Sequence, residues 1–231
     1  MLVATGNFKN PLSFPVDRNG TTLKNRKEIK MDVKTRILDQ ASQMFFRYGI
    51  RSITMDEIAE SLGMSKRTLY ENFATKEELL KECIEFQYRE NIKLRDDIMK
   101  AFSDDPLEIF HQHFRHAMIT LASIHPNYFT DLQKYYSMIW RKHIQSKQDE
   151  SISFTVKQIE KGKEKGIFRQ DVDAEIMSRA AQAGIQMMVS PHIFPESRFA
   201  RSEVFRQVTV NFIRGMATAE GMALVDEKFK G

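Results

Sequence analysis

The chain has 231 residues, 42% of them hydrophobic, and a formal net charge of +4. That length allows one long or two modest domains with a buried core, and that composition excludes a disordered chain. A single cysteine, Cys83, excludes intramolecular disulfides and cysteine-rich metal sites, and no apolar run approaches the roughly 20 residues of a membrane span.

Residues 1–31 read apart from the rest. Pro11, Pro15 and the Asn19-Gly20 pair are turn signals without helical period. Arg18, Lys24, Arg26, Lys27 and Lys30 outnumber Asp17 and Glu28, so the segment is either a disordered tail or a basic arm able to reach a minor groove. It lacks the continuous apolar core of a signal peptide, and a soluble, cytoplasmic protein is expected. Met31 is a second candidate start. From Asp32 the helical period is steady: Leu38, Ala41, Phe45 and Tyr48 form an apolar stripe, ended by Gly49.

The stretch from Ile53 to Leu80 divides into three helical pieces. Thr54 with Glu57 has the capping-box spacing, and Ile58, Ala59 and Leu62 give the first piece its apolar face. Gly63 permits the tight turn that follows. Ser65 caps a second helix whose inward residues are Leu69 and Phe73, and Thr75 with Glu78 opens a third, longer one. Two short helices around a glycine turn, the second displaying polar and basic residues, form the pattern of a helix-turn-helix. Lys66 and Arg67 stand in the second helix's first turn, where the dipole disfavours cations and an anionic partner would reverse that penalty. Tyr70 shares a flank with Lys66. The plainer alternative is solvated surface, with Arg67 and Glu71 as a weak i,i+4 pair.

The flanks add to this pattern. Arg36, Ile37, Leu38, Ala41, Phe45 and Gly49 are followed by Thr54, Ile58, Ala59 and Gly63, then by Ser65, Thr68, Leu69, Tyr70 and Phe73, then by Lys76, Glu77 and Leu79. In residue type and spacing this series resembles the head of the tetracycline-repressor (TetR) family. The resemblance implies an all-α fold: an N-terminal three-helix helix-turn-helix DNA-binding head over 32–78, and a C-terminal helical ligand-binding and dimerisation domain over 79–231. It also implies a sequence-specific DNA-binding transcriptional regulator. The expected form is a ligand-responsive repressor, a homodimer whose recognition helices enter successive major grooves roughly 34–36 Å apart on a double-stranded operator. A helical protein-interaction module using the same fold, with DNA only as an anchor, is the alternative. Candidate DNA-contacting residues are Thr54, Ser65, Lys66, Arg67, Thr68, Tyr70, Asn72 and Lys76. Arg67 and Thr68 are the candidates for base edges. Many family members carry glycine at the position of Arg67, so operator preference does not transfer.

Beyond Thr75 a long helix carries Leu80, Ile84, Tyr88, Arg95, Ile98 and Phe102 and ends before Asp104. Asp105-Pro106 with Glu108 is a strong helix start. Further helices are predicted from Tyr128 to about Ser146, over 151–165, and at about 173–190 and 199–220. The segment Ile167 to Asp173 resembles a connector common in the same family's regulatory domains.

Phe110, Phe114, Met118, Tyr135, Trp140 and Met187 are candidates to line a pocket for a small-molecule effector of apolar or aromatic character, although each could equally fill a core. His113 and His116 share a helix face while His111 points about 200° away from His113, so part-exposed histidines are expected rather than a metal site. No paired carboxylates, nucleophile elbow or glycine-rich phosphate loop point to an enzyme, and no cofactor is expected. The last two helices form the expected dimer seam: Ile176, Ala180, Ala183, Gly184 and Met187 keep one face small or flexible, and Val204, Val208 and Phe212 recur at i,i+4 on the other.

Overall fold

The computed structural model describes residues 32–195 and 197–229. The basic segment 1–31, with its proposed minor-groove role, lies outside the described residues. Within them the chain forms α1 (Val33–Tyr48), α2 (Met55–Ser61), α3 (Lys66–Asn72), α4 (Lys76–Ala101) and α5 (Pro106–Ser123). There follow α6 (Asn127–Tyr135), α7 (Ser137–Glu164), α8 (Ala174–Met188), α9 (Arg201–Met216) and α10 (Ala219–Lys228). The fold is all-α. Its one extended pairing among the described residues is an isolated antiparallel bridge between Phe168 and Ala217.

Local chemistry starts and stops the head helices as the sequence dictates. Asp32 caps α1, and Thr54 and Glu57 complete a reciprocal capping box on α2. Ser65 caps α3 and Thr75 caps α4 through the backbone N–H of Glu78. Gly49 and Gly63 adopt φ of 84° and 63°, backbone that a side chain would strain.

Three apolar cores hold the described residues together. The first packs Ile37, Leu38, Ala41 and Phe45 of α1 against Ile58, Leu69, Phe73 and Leu80, and takes Tyr128 and Leu132 from α6. Tyr48, expected on the same stripe, is exposed at the end of α1, with the Arg47 guanidinium over its ring. Cys83 is buried in this core, as packing. The second core joins Leu107, Ile159, Phe168, Val210, Ile213, Met216 and Val225. The third is small: Leu94, Ile98 and Phe102 of α4 with Ile109 of α5 and, at its edge, Phe154 of α7.

Two helix boundaries differ from the sequence expectation. The helix expected from Tyr128 to Ser146 breaks at Tyr136, and α7 then runs unbroken through the predicted gap before residue 151. Residues 146–151 contain neither glycine nor proline, and Lys147, Gln148 and Glu150 are good helix formers, so nothing stops the helix there. The break falls instead where α6 must dock on the head core while α7 turns to pack along α8. The helix expected over 199–220 likewise ends at Met216, because Ala217 pairs with Phe168 and Thr218 caps a further helix, α10. The expected seam pair, α8 and α9, is therefore not the last pair in the chain.

Candidate nucleic-acid interface

Helix α3 buries only Leu69; its other residues are exposed or partly so. Arg67 is the most exposed of its cations, at 88% of the side chain, and pairs with Glu71 at 2.8 Å. Lys66 reaches back to Asp56 of α2 at 2.5 Å, an ion pair that holds its ammonium above the usual lysine range. Both pairs lie in water and add little to stability, so an incoming phosphate can replace the carboxylates at small cost. Tyr70 is exposed on the same flank.

The remaining predicted contacts have a structural duty as well. Ser65 Oγ lies 2.9 Å from Thr68 Oγ1 and accepts from the Thr68 backbone N–H, fixing the first turn of α3. Asn72 donates to the Thr68 carbonyl at 2.8 Å, closing the helix at its other end. Thr54 donates its hydroxyl to Glu57 at 2.8 Å. Lys76 is half-buried, its ammonium 5.9 Å from the centre of the Phe45 ring, and burial lowers its basicity against the opposing pull of Asp131 and Glu57. Sequence reasoning missed Lys34, whose ammonium lies 5.3 Å from the centre of the Phe73 ring at the exit of α3. The signal was present: a cation in an N-terminal turn that holds no acid, the feature that singles out Lys66.

The head is tied to the body through α6. The Arg51 backbone N–H donates to Asp131, and the backbone N–H of His125 donates to the Phe46 carbonyl at 2.6 Å. The six pocket candidates do not gather in one place. Phe110 and Phe114 edge the second core, where Phe114 meets Phe205 and Phe229. Trp140 edges the first core against Phe129, and Tyr135 is exposed beneath the Arg51 guanidinium. Met118 and Met187 are partly buried elsewhere, on α5 and α8. Of the seam candidates, Ile176, Ala180 and Ala183 are exposed on α8, whereas Val204 is buried in its own subunit and Phe212 packs on the second core.

Comparison with known proteins matches this architecture. The family model for bacterial regulatory proteins of the TetR family fits residues 37–83, from α1 into α4. The transcriptional repressor KstR2 of Mycobacterium tuberculosis is 26% identical over 146 residues, covering 62% of this chain and 72% of that protein. IcaR of Staphylococcus aureus, a negative transcriptional regulator of the biofilm operon icaADBC, is 30% identical over 80 residues, covering 34% of this chain and 43% of that protein. Among solved structures, a TetR-family regulator from Marinobacter aquaeolei superposes with a TM-score of 0.64 at 20% identity, over 87% of this chain and all of that one. One from Haloarcula marismortui gives 0.63 at 17%, over 80% and 98% of the two chains. These likenesses extend the shared fold from the head through the helical body, and no described helix is long and apolar enough to cross a membrane. With the capped helix-turn-helix, its exposed basic second helix and its named relatives in agreement, residues 37–83 form a head of the TetR type, and the chain is a DNA-binding transcriptional regulator rather than an enzyme.

Proposed function

We propose that this regulator is a ligand-responsive repressor that binds its operator as a homodimer. The observation that supports it most is the placement of Lys66, Arg67 and Tyr70: all three stand exposed on α3, the helix that Leu69 anchors to the core. A lone head of this size contacts too little DNA for useful specificity, and a pair joined by their bodies doubles it. Lys66, Tyr70, Thr54, Ser65, Asn72 and Lys76 meet the backbone, while Arg67 and Thr68 reach base edges.

The dimer seam lies on α8 and α9, with the exposed Ile176, Ala180 and Ala183 at its centre, Met187 beside them and Val208 at its edge. Val204 and Phe212, each turned into its own subunit, support the seam from beneath. An effector with an apolar or aromatic body that binds better to one spacing of the heads releases DNA, since only differential affinity shifts the equilibrium. Footprinting on the DNA flanking the protein's own gene is the test. A sharp two-half-site footprint supports the reading, and a stable dimer with no footprint favours a helical protein-interaction module.

A further inference from the structure

From Thr54 to Asn72 the helix-turn-helix carries four acids, Asp56, Glu57, Glu60 and Glu71, against two bases, Lys66 and Arg67. Its own net charge is therefore −2, so its field does not draw in a polyanion. Affinity for DNA from this stretch has to come from fixed contacts that the right partner completes.

Two of the acids serve α2. Glu57 closes the capping box with Thr54, and Asp56 stands in the first turn of α2, where the dipole favours it. Glu71 differs. It lies in the last turn of α3, where the dipole disfavours an acid, and its partner Arg67 lies in the first turn, where the dipole disfavours a cation. The order is also the weaker one, because an i,i+4 pair gains more with the acid on the N-terminal side. An exposed pair contributes little in water, so the stability of α3 does not account for this one.

The geometry of the pair is selective. Glu71 Oε1 accepts from Arg67 Nε at 2.8 Å, and the terminal nitrogens of Arg67 form no hydrogen bond among the described residues. A guanidinium held at Nε keeps its terminal fork of N–H donors free, and such a fork matches N7 and O6 on the major-groove edge of guanine. With 88% of the Arg67 side chain exposed, the fork stands in water. Neighbouring groups on α3 are spent locally: Ser65 and Thr68 on each other, Asn72 on the Thr68 carbonyl. Lys66 is a point charge, better suited to phosphate than to a base edge.

We propose that Glu71 is a positioning residue for DNA reading: it holds Arg67 at Nε so that the terminal fork meets a guanine at one fixed place in each site. This role rests on the assignment of Arg67 to a base edge above, and adds the base. As water leaves the groove the Arg67–Glu71 bond strengthens, and Arg67 is kept from swinging to the phosphates. On random DNA the same carboxylate has no guanine in register to offset its repulsion from phosphate, and it weakens binding there.

Selection of binding sites from a pool of random duplexes, with the full-length protein, tests the role. The wild type should recover guanine at one position of each half-site, and Arg67→Ala should lose it. Glu71→Ala should weaken the preference for that guanine about tenfold, within the worth of one bidentate contact. Its binding to random duplexes should meanwhile gain about one unit of salt slope. Glu71→Gln keeps an acceptor for Nε and should hold most of the preference. Asp56→Asn frees Lys66 instead and should leave the preference at every position unchanged. The role is overturned by an unchanged guanine preference in Glu71→Ala, by an equal loss in Glu71→Gln or Asp56→Asn, or by a base other than guanine at the position that Arg67→Ala relaxes. The two readings fail separately. Paired half-sites with Glu71→Ala as selective as the wild type sink the positioning role alone. A single half-site that Glu71→Ala relaxes sinks the homodimer alone, and a wild type that selects no sequence sinks both.

Discussion

The backbone N–H of Arg51 donates to the carboxylate of Asp131 at 2.9 Å, across 80 residues of sequence. The Arg51 guanidinium covers the Tyr135 ring at 4.2 Å, and the N–H of His125 bonds Phe46 just ahead of α6. Helix α6 is thereby pinned at both ends to the corner between α1 and α2. Asp131→Ala leaves a backbone donor without its acceptor at this joint and should cost about 1–3 kcal/mol in urea unfolding, with helicity by circular dichroism unchanged. An unmoved unfolding midpoint would show that the bond contributes nothing to the joint.

On DNA, the two cations at the starts of α3 and α4 should behave differently. Lys76→Ala is expected to weaken binding to all sequences and to reduce the salt slope by about one. Arg67→Ala should cost roughly 1–3 kcal/mol mainly at the true operator. Equal losses on operator and random DNA for Arg67→Ala would remove it from base reading.

For the dimer, Ile176 offers the cleaner probe. It is 64% exposed in the subunit, so Ile176→Asp disturbs no internal packing yet places a charge in the seam. Val208→Asp does the same from α9, where Val208 is only partly covered by its own subunit. Both variants should sediment as folded monomers. A dimer that survives both must be held by another face.

Acid stability should report on the buried histidine. Loss of solvent, then the charges of His116 and Arg95, press His113 down to about 4 from its ordinary 6.5. The unfolded chain therefore takes up the proton first as pH falls, and the contribution is full above about pH 6.5 and lost progressively toward about pH 4. Between about pH 7 and about pH 5 His113 alone should account for roughly 2 kcal/mol of lost stability in urea unfolding. His113→Leu should flatten that decline; an identical pH dependence would show that the ring is not enclosed in solution.

Gly162 and Gly221 make one more test of the body. A β-carbon at Gly162 would run into the Phe168 ring, and one at Gly221 into the Ile167 carbonyl. Gly221→Ala should destabilise by about 1–3 kcal/mol, because the obstacle is backbone that cannot swing aside. Retention of the wild-type melting temperature would mean the Ile167–Thr218 contact is looser than it stands here.

The head was legible in the sequence because its determinants are local. Thr54 with Glu57, Ser65 and the glycines at 49 and 63 act on backbone within four residues of themselves, and the apolar period of α1 names the face that Leu69 and Phe73 will meet. The all-α class and the exposed basic turn of α3 follow from the same short-range rules. What the tertiary structure alone decided concerns residues distant in the chain. Tyr136 breaks a helix that its neighbours would have continued, because α6 docks on the head and α7 on α8. Of the six aromatic and methionine candidates, Phe110 and Phe114 went to one core, Trp140 to another and the rest to neither, while the partly exposed His113 had its Nε2 shut off from solvent. Periodicity states which residues share a face. Which faces then meet depends on how the ten helices of the described residues pack together, and that information is spread along the sequence rather than written at any one position.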